Sequence, residues 1–181
     1  MTKHEYYLRI TETVGMKSTC LRRKYGAIIV KNDQIISTGY NGSPRGCVNC
    51  DGLGYCLRNI VGAQKGDSYN LCTSVHAEQN CIIAAPRAEM IGATLYIVGV
   101  NVSMEYGNTY ASPNPCQICH RMIINSGIEK AYGFIGDIKS PDIAEIDIST
   151  EKFDKDINAT ILRLINETKD DKNIKNIAAL L

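Results

Sequence analysis

Two short stretches, far apart in the chain, constrain this protein more than anything else in it, because the chemistry of each needs the other. The first is Val75-His76-Ala77-Glu78-Gln79-Asn80 and the second is Pro115-Cys116-Gln117-Ile118-Cys119. One imidazole and two thiolates give zinc three protein ligands and leave the fourth tetrahedral position for water. Zinc held in this way brings the pKa of that water down to about 7. Glu78 sits two residues beyond His76, so on the first turn of a helix it points into the same pocket without ligating. There it can take the water's proton and pass it on. Alone, a His-x-Glu is mostly a surface accident, and a Cys-x-x-Cys is as readily a structural half-site or a redox pair. In this order, with Pro115 ahead of the cysteines and a helix-forming run after each half, they point to a catalytic zinc on His76, Cys116 and Cys119.

Composition limits the alternatives. A chain of 181 residues suits one domain, able to bury about two-thirds of its unfolded surface. A formal net charge of +1 offers no long-range attraction to a nucleic-acid backbone. With no Trp and two Phe, the chain also lacks stacking aromatics for a polynucleotide. No apolar run approaches a membrane span, and Met1-Thr2-Lys3-His4-Glu5 lacks the apolar core of a signal peptide. Eight cysteines without export signals read as metal ligands and buried thiols in a reducing compartment, so the expectation is cytoplasmic.

Taken in order, residues 3–18 read as an amphipathic helix through Tyr6, Leu8, Ile10 and Val14. A basic cluster, Arg22-Arg23-Lys24, precedes a hairpin of residues 25–30 and 34–39 turned by Lys31-Asn32-Asp33. A long Gly- and Cys-rich stretch then runs to about Ser74, of a length that is usually functional or held by something other than a core. A helix over 76–87 ending near Pro86, a central strand over 93–100, a helix over 116–126 capped by Gly127 and a strand over 128–135 complete the pattern of an α/β sandwich. Beyond residue 136 the character changes. Ser140-Pro141-Asp142 breaks the pattern, 154–168 suits one amphipathic helix through Ile157, Ile161, Leu164 and Ile165, 169–175 looks solvated, and 177–181 is weakly apolar. The division read from this is a zinc catalytic domain over 1–136 and a helical extension over 137–181 for packing or oligomer contact.

The chain resembles the deoxycytidylate (dCMP) deaminases of the cytidine-deaminase-like superfamily. The resemblance covers residues 19 to 134 and rests on more than the zinc signature: Thr19-Cys20-Leu21-Arg22-Arg23-Lys24-Tyr25-Gly26-Ala27, Ser37-Thr38-Gly39-Tyr40-Asn41-Gly42-Ser43-Pro44 and Ser126-Gly127-Ile128-Glu129-Lys130 also match family landmarks. The Gly-Tyr-Asn-Gly run is the discriminating one. The resemblance implies a three-layer α/β/α sandwich with a five-stranded mixed sheet. It implies hydrolysis of dCMP to dUMP and ammonia, feeding thymidylate synthesis, in a homo-oligomer (often a hexamer) regulated by dCTP as activator and dTTP as inhibitor, with Mg2+ accompanying the effector. No nucleic-acid or membrane partner is expected.

Residue by residue, the resemblance puts His76, Cys116 and Cys119 on the zinc and Glu78 on the proton shuttle to the ring nitrogen and leaving amine. It brings the backbone N–H of Ala77 to the base's carbonyl and Asn41 to the sugar, although Asn41 also reads as a turn asparagine before Gly42. Tyr40 and Gly42 share the motif tied to nucleotide regulation. Arg22, Arg23, Arg45 and Arg87 are candidates for a phosphate, whose oxygens suit a planar guanidinium, without a choice among them. Family members carry a second, structural zinc on residues in the places of Cys20 and Cys50. Cys56 and Cys72 would complete a closed four-thiolate site, leaving Cys47 spare, while several of these cysteines also read as buried thiols. The chain departs from the family at residues 100–114, a polar insertion arriving beside the metal that could shift preference toward dCTP, a modified cytosine or a free nucleoside such as deoxycytidine. A zinc-stabilised nucleotide-binding regulator without turnover is the remaining alternative, and the intact Glu78 argues against it.

Overall fold

In a computed structural model, which describes residues 1–63, 71–102 and 109–167, the β-rich runs form the expected hairpin. Strand β1 (Arg23–Lys31) turns into β2 (Gln34–Tyr40), with Lys31 opposite Gln34. Asn32 and Asp33 both take positive φ, 49° and 63°. Two left-handed residues in a two-residue loop match the right-handed twist of the flanking strands, and Asn and Asp tolerate that conformation best after Gly.

The hairpin lies at one end of a mixed sheet in the order β2-β1-β3-β5-β6. Strand β3 (Thr94–Asn101) pairs antiparallel with β1 and parallel with β5 (Lys130–Gly136). A sixth, two-residue strand β4 (Tyr110–Ala111) pairs with β3 at Gly99 and Val100, past the point where β5 leaves it. Among the described residues the sheet thus has one strand more than expected, because Tyr110 and Ala111 pair with β3. Side chains on β1 and β3 alternate between two cores, as a period of two requires. Ala27, Ile29, Leu95 and Ile97 face one way, and Ile28, Val30, Tyr96 and Val98 the other.

Helix α1 (Lys3–Gly15) covers the second face. Its N-cap Thr2 accepts a hydrogen bond from the Glu5 N–H, and its inward residues are Tyr7, Leu8, Thr11 and Gly15. Tyr6, expected on the inner face, is 49% exposed: the buried stripe runs through residues 7, 11 and 15, one position round the helix. The other face carries α4 (Ala77–Ile83), α5 (Arg87–Met90) and α6 (Gln117–Ser126), which makes three layers. The helix expected over 76–87 is divided, since α4 stops at Ala84 and Pro86 caps α5. Gly127, at φ 80°, closes α6 as expected. The long loop holds two single helical turns, α2 (Cys50–Leu53) and α3 (Leu57–Ile60).

The tail differs most from expectation. Pro141 does not end the ordered pattern but begins β6 (Pro141–Ile146), antiparallel to β5 from Ala131 to Gly136. Proline is tolerated there because it is the first residue of a strand at the sheet's edge. Residue 136 therefore lies in a hairpin whose second strand extends the sheet. Helix α7 (Thr150–Glu167) follows, capped by the Ser149 hydroxyl, which accepts from the Lys152 N–H. It packs on α6 through Gln117, whose Nε2 donates to Thr160 Oγ1 at 2.9 Å, and through Phe153 set edge-on to His120. The side chains of Leu164 and Ile165, the runs 169–175 and 177–181, and the middle of the 100–114 insertion lie outside the described residues. Among the described residues, no helix is long and apolar enough to cross a membrane.

Candidate metal centre and active site

His76 is the N-cap of α4 and Cys116 the N-cap of α6, both in extended backbone conformation, so the starts of two neighbouring helices deliver the ligands. His76 Nδ1 lies 3.5 Å from Cys116 Sγ and 3.4 Å from Cys119 Sγ, and the three ligand atoms fall within 4.8 Å of one another. Zinc at about 2.05 Å from nitrogen and about 2.3 Å from sulfur sets a tetrahedral N···S edge of about 3.6 Å, so the set fits that ion. The positive ends of both helix dipoles face the thiolates, which favours their charge.

Electrostatics within the cluster follow from its crowding. The Cys116 thiol is held well below its usual range, first by the hydrogen bond from Cys119 and then by the one from His76. Cys119 is pushed up by donating that hydrogen bond, with burial adding to it. Hydrogen bonding to Cys116 raises the His76 imidazole against the opposing effect of burial. Glu78, only 6% exposed, has its carboxyl raised by burial and reaches the Cys119 sulfur from the first turn of α4. A buried carboxyl beside the ligands that would hold zinc is placed to take up and return a proton.

The Gly39-to-Gly42 segment sits against α4. A Cβ on Gly39 would stand 2.4 Å from the Ala77 carbonyl oxygen and 2.5 Å from the Cys81 nitrogen, so only glycine lets the helix lie this close to β2. Gly42 and Val75 exchange backbone hydrogen bonds of 3.2 and 2.8 Å, and Asn80 Nδ2 donates to the Tyr40 carbonyl. Tyr40, Asn41 and Gly42 thus lie beside the helix that begins at His76. Ala77 is the first residue of α4, where the N–H has no intrahelical acceptor. Asn41, 7% exposed, is a strut: its Oδ1 accepts from the Tyr25 N–H at 2.7 Å and its Nδ2 donates to the Arg23 carbonyl at 3.0 Å. One amide hydrogen and one lone pair remain for a ligand.

The candidate arginines scatter. Arg23 Nε donates to Asn101 Oδ1 across β1 and β3, Arg22 is half-buried and Arg45 is exposed. Arg87 donates to the Asn125 carbonyl near the far end of α6, about 13 Å along the helix from Cys116.

Cys50, raised by burial, lies within electrostatic reach of Cys20, Cys72 and Cys56. The four are gathered more loosely than the first cluster, which is the one set of ligand atoms within 4.8 Å among the described residues. No cysteine is in a disulfide, Cys47 is exposed, and Cys81 is buried against the Ser37 hydroxyl.

One residue at the site escaped the sequence reading. Gln79 Oε1 accepts from the His76 N–H at 2.9 Å, and its Nε2 reaches Met122 Sδ on α6, so it ties the two ligand-bearing helices together. Its signal was present, since a Gln three residues after an N-cap is the capping-box position.

Residues 1–134 match the family described as the cytidine and deoxycytidylate deaminase zinc-binding region. The chain belongs to that family. It is an enzyme of this deaminase class, with His76, Cys116 and Cys119 arranged as a zinc site. This deaminase is 36% identical over 131 residues to the deoxycytidylate deaminase of Mycobacterium phage D29, a match covering 70% of this chain and 89% of that protein. It is 33% identical over 127 residues to the deoxycytidylate deaminase of Saccharomyces cerevisiae, but that match covers 35% of the yeast protein. Among solved structures, the cyanophage S-TIM5 dCMP deaminase in complex with dCMP and dUMP is 28% identical, with 74% of this chain and 82% of that chain covered and a TM-score of 0.48.

Proposed function

We propose that this enzyme hydrolyses dCMP to dUMP and ammonia. The observation that carries the reading is the convergence of His76 Nδ1 and the Cys116 and Cys119 sulfurs beside the buried Glu78 carboxyl. Identity to the phage D29 deoxycytidylate deaminase supports the choice of substrate. Zinc held by His76, Cys116 and Cys119 supplies activation of water near neutral pH. Glu78 takes a proton from the attacking water and delivers it to the ring nitrogen, and the second water proton leaves with the amine. One water is consumed and one ammonia released. The Ala77 N–H receives the base's carbonyl, and Asn41 meets the sugar with its remaining amide hydrogen.

The finer parts of the reading concern assembly and control. Cys20, Cys50, Cys56 and Cys72 hold a second, structural zinc, a proposal supported by the electrostatic reach of the other three to Cys50; binding would draw the thiolates together. Tyr40 and Gly42 take part in activation by dCTP, with Mg2+, and inhibition by dTTP, in a cytoplasmic homohexamer that supplies dUMP for thymidylate synthesis. Catalysis resides in residues 1–136, and the extension over 137–181 serves packing: β6 lengthens the sheet and α7 covers α6.

Ammonia release from dCMP, dCTP, deoxycytidine and CMP, with and without dCTP-Mg and dTTP, tests the reading, together with zinc analysis of the purified protein. Preference for dCMP and two zinc ions per chain are expected. Preference for another substrate would overturn the dCMP assignment, and one zinc per chain would remove the second site.

A further inference from the structure

The face of the sheet on which Ala27, Ile29, Leu95 and Ile97 pack with α4 and α6 has its side-chain layer interrupted by two glycines. Gly99 on β3 stands opposite Tyr25 on β1, and Gly133 on β5 stands opposite Ile97 on β3. A Cβ on Gly99 would lie 2.3, 2.6 and 2.7 Å from three atoms of the Tyr25 ring, so that ring occupies the space a side chain of β3 would fill. A Cβ on Gly133 would lie 2.3 Å from the Cβ of Pro113, which is buried in the second gap. The two fillers are joined, since the Tyr25 hydroxyl donates to the Ser112 carbonyl at 2.9 Å. From Ser112 the chain reaches Cys116 through Pro113, Asn114 and Pro115, and the fixed φ of the prolines leaves little slack. The backbone of Tyr25 is engaged elsewhere. Its N–H donates to Asn41 Oδ1 at 2.7 Å, and its carbonyl accepts from the Asn41 N–H at 3.2 Å.

We propose that Tyr25 is a positioning residue of the metal centre: its ring on Gly99 and its hydroxyl on Ser112 fix the segment that delivers Cys116, while its backbone fixes Asn41. The inference rests on the deaminase reading, in which Cys116 holds zinc and Asn41 meets the sugar, and adds what sets the separation of the two. A ligand held in place before the ion arrives binds it more tightly, because little ordering is left to do on binding. The side chain serves the metal and the backbone serves the nucleotide, so substitution of the side chain separates them.

The test uses the full-length protein as wild type, Tyr25→Phe, Gly99→Ala, Tyr25→Ala and the Tyr25→Ala/Gly99→Ala double variant. Equilibrium dialysis against chelator-buffered free zinc gives zinc bound per chain. Turnover in the same samples marks the step of the isotherm that belongs to His76, Cys116 and Cys119. Tyr25→Phe removes only the hydroxyl and is expected to weaken that step by roughly 3- to 10-fold. At saturating zinc it should leave KM for dCMP within about twofold, since the bonds to Asn41 run through the backbone. Lost packing alone lowers the urea midpoint but leaves the zinc affinity of the folded protein unchanged, so affinity separates positioning from support. Gly99→Ala is expected to weaken zinc at least as much, and to have no further effect in the Tyr25→Ala background, where the methyl meets no ring. Tyr25→Phe, which adds no volume, decides the question where Gly99→Ala does not fold. Zinc affinity within about twofold of wild type in Tyr25→Phe, or an equal effect of Gly99→Ala with and without the ring, overturns the inference. A wild-type isotherm that Cys116→Ala leaves unchanged would overturn the metal reading and this inference together, an outcome distinguishable because no Tyr25 variant enters it.

Discussion

Replacing Gly39 with alanine should damage catalysis from a residue that touches no reacting atom. The added methyl would stand 2.4 Å from the Ala77 carbonyl oxygen and 2.5 Å from the Cys81 nitrogen, where ordinary contact begins at 3.4 Å. Both opposing atoms are backbone of α4, so no side chain can swing aside and the helix must retreat from β2 by about 1 Å. That helix begins at His76 and carries Glu78 on its first turn. Overpacking of this kind costs about 1–3 kcal/mol of stability, and misplacing a catalytic group by about 1 Å costs on the order of 100-fold in rate. Gly39→Ala is therefore expected to lower the urea midpoint and to reduce kcat about 100-fold, with a smaller effect on KM. Urea unfolding followed by fluorescence and steady-state kinetics on dCMP read both quantities. A variant that unfolds at the wild-type midpoint, with kcat within about twofold, would refute the claim that contact with β2 sets the position of α4.

Two further outcomes follow from the site and the core. Glu78→Gln keeps the shape of the side chain but cannot carry a proton, so kcat should fall by about 10²–10⁴ with zinc content unchanged; retained turnover would remove Glu78 from the proton path. Stability should decline above pH 9, because burial pushes the Cys81 thiol from its ordinary 9.0 up to about 12 and Tyr96 from 10.0 up to about 12. In that window the unfolded chain has released protons that the folded chain still holds, so each group's contribution is complete below its ordinary value and is lost as pH rises through the folded one. Urea midpoints measured from pH 8 to 11 should fall, and less steeply in Cys81→Ala; a flat or rising profile would contradict the burial argument.

That His76, Cys116 and Cys119 come together, with Glu78 beside them, was legible in the sequence because ligand chemistry demands particular residue types at short spacings, whatever the fold. The hairpin was legible for a similarly local reason, since Asn32 and Asp33 are residues that accept left-handed backbone. So was the C-cap at Gly127. Nothing local marks β6, because a proline reads as a break unless the residue is known to start an edge strand. The second turn of a two-part helix at Pro86 and the two-residue β4 are likewise decided by what the rest of the chain packs against them. Asn41 shows the limit most sharply. Its type and motif suggested a ligand contact or a turn, yet in the fold it bridges to the β1 backbone at Tyr25 and Arg23. The sequence by itself determined which atoms can hold zinc and move a proton, since that depends on side-chain chemistry. Only the tertiary structure decided which glycine lets α4 meet the sheet and which side chain ties α4 to α6, since those depend on distances between segments remote in the chain.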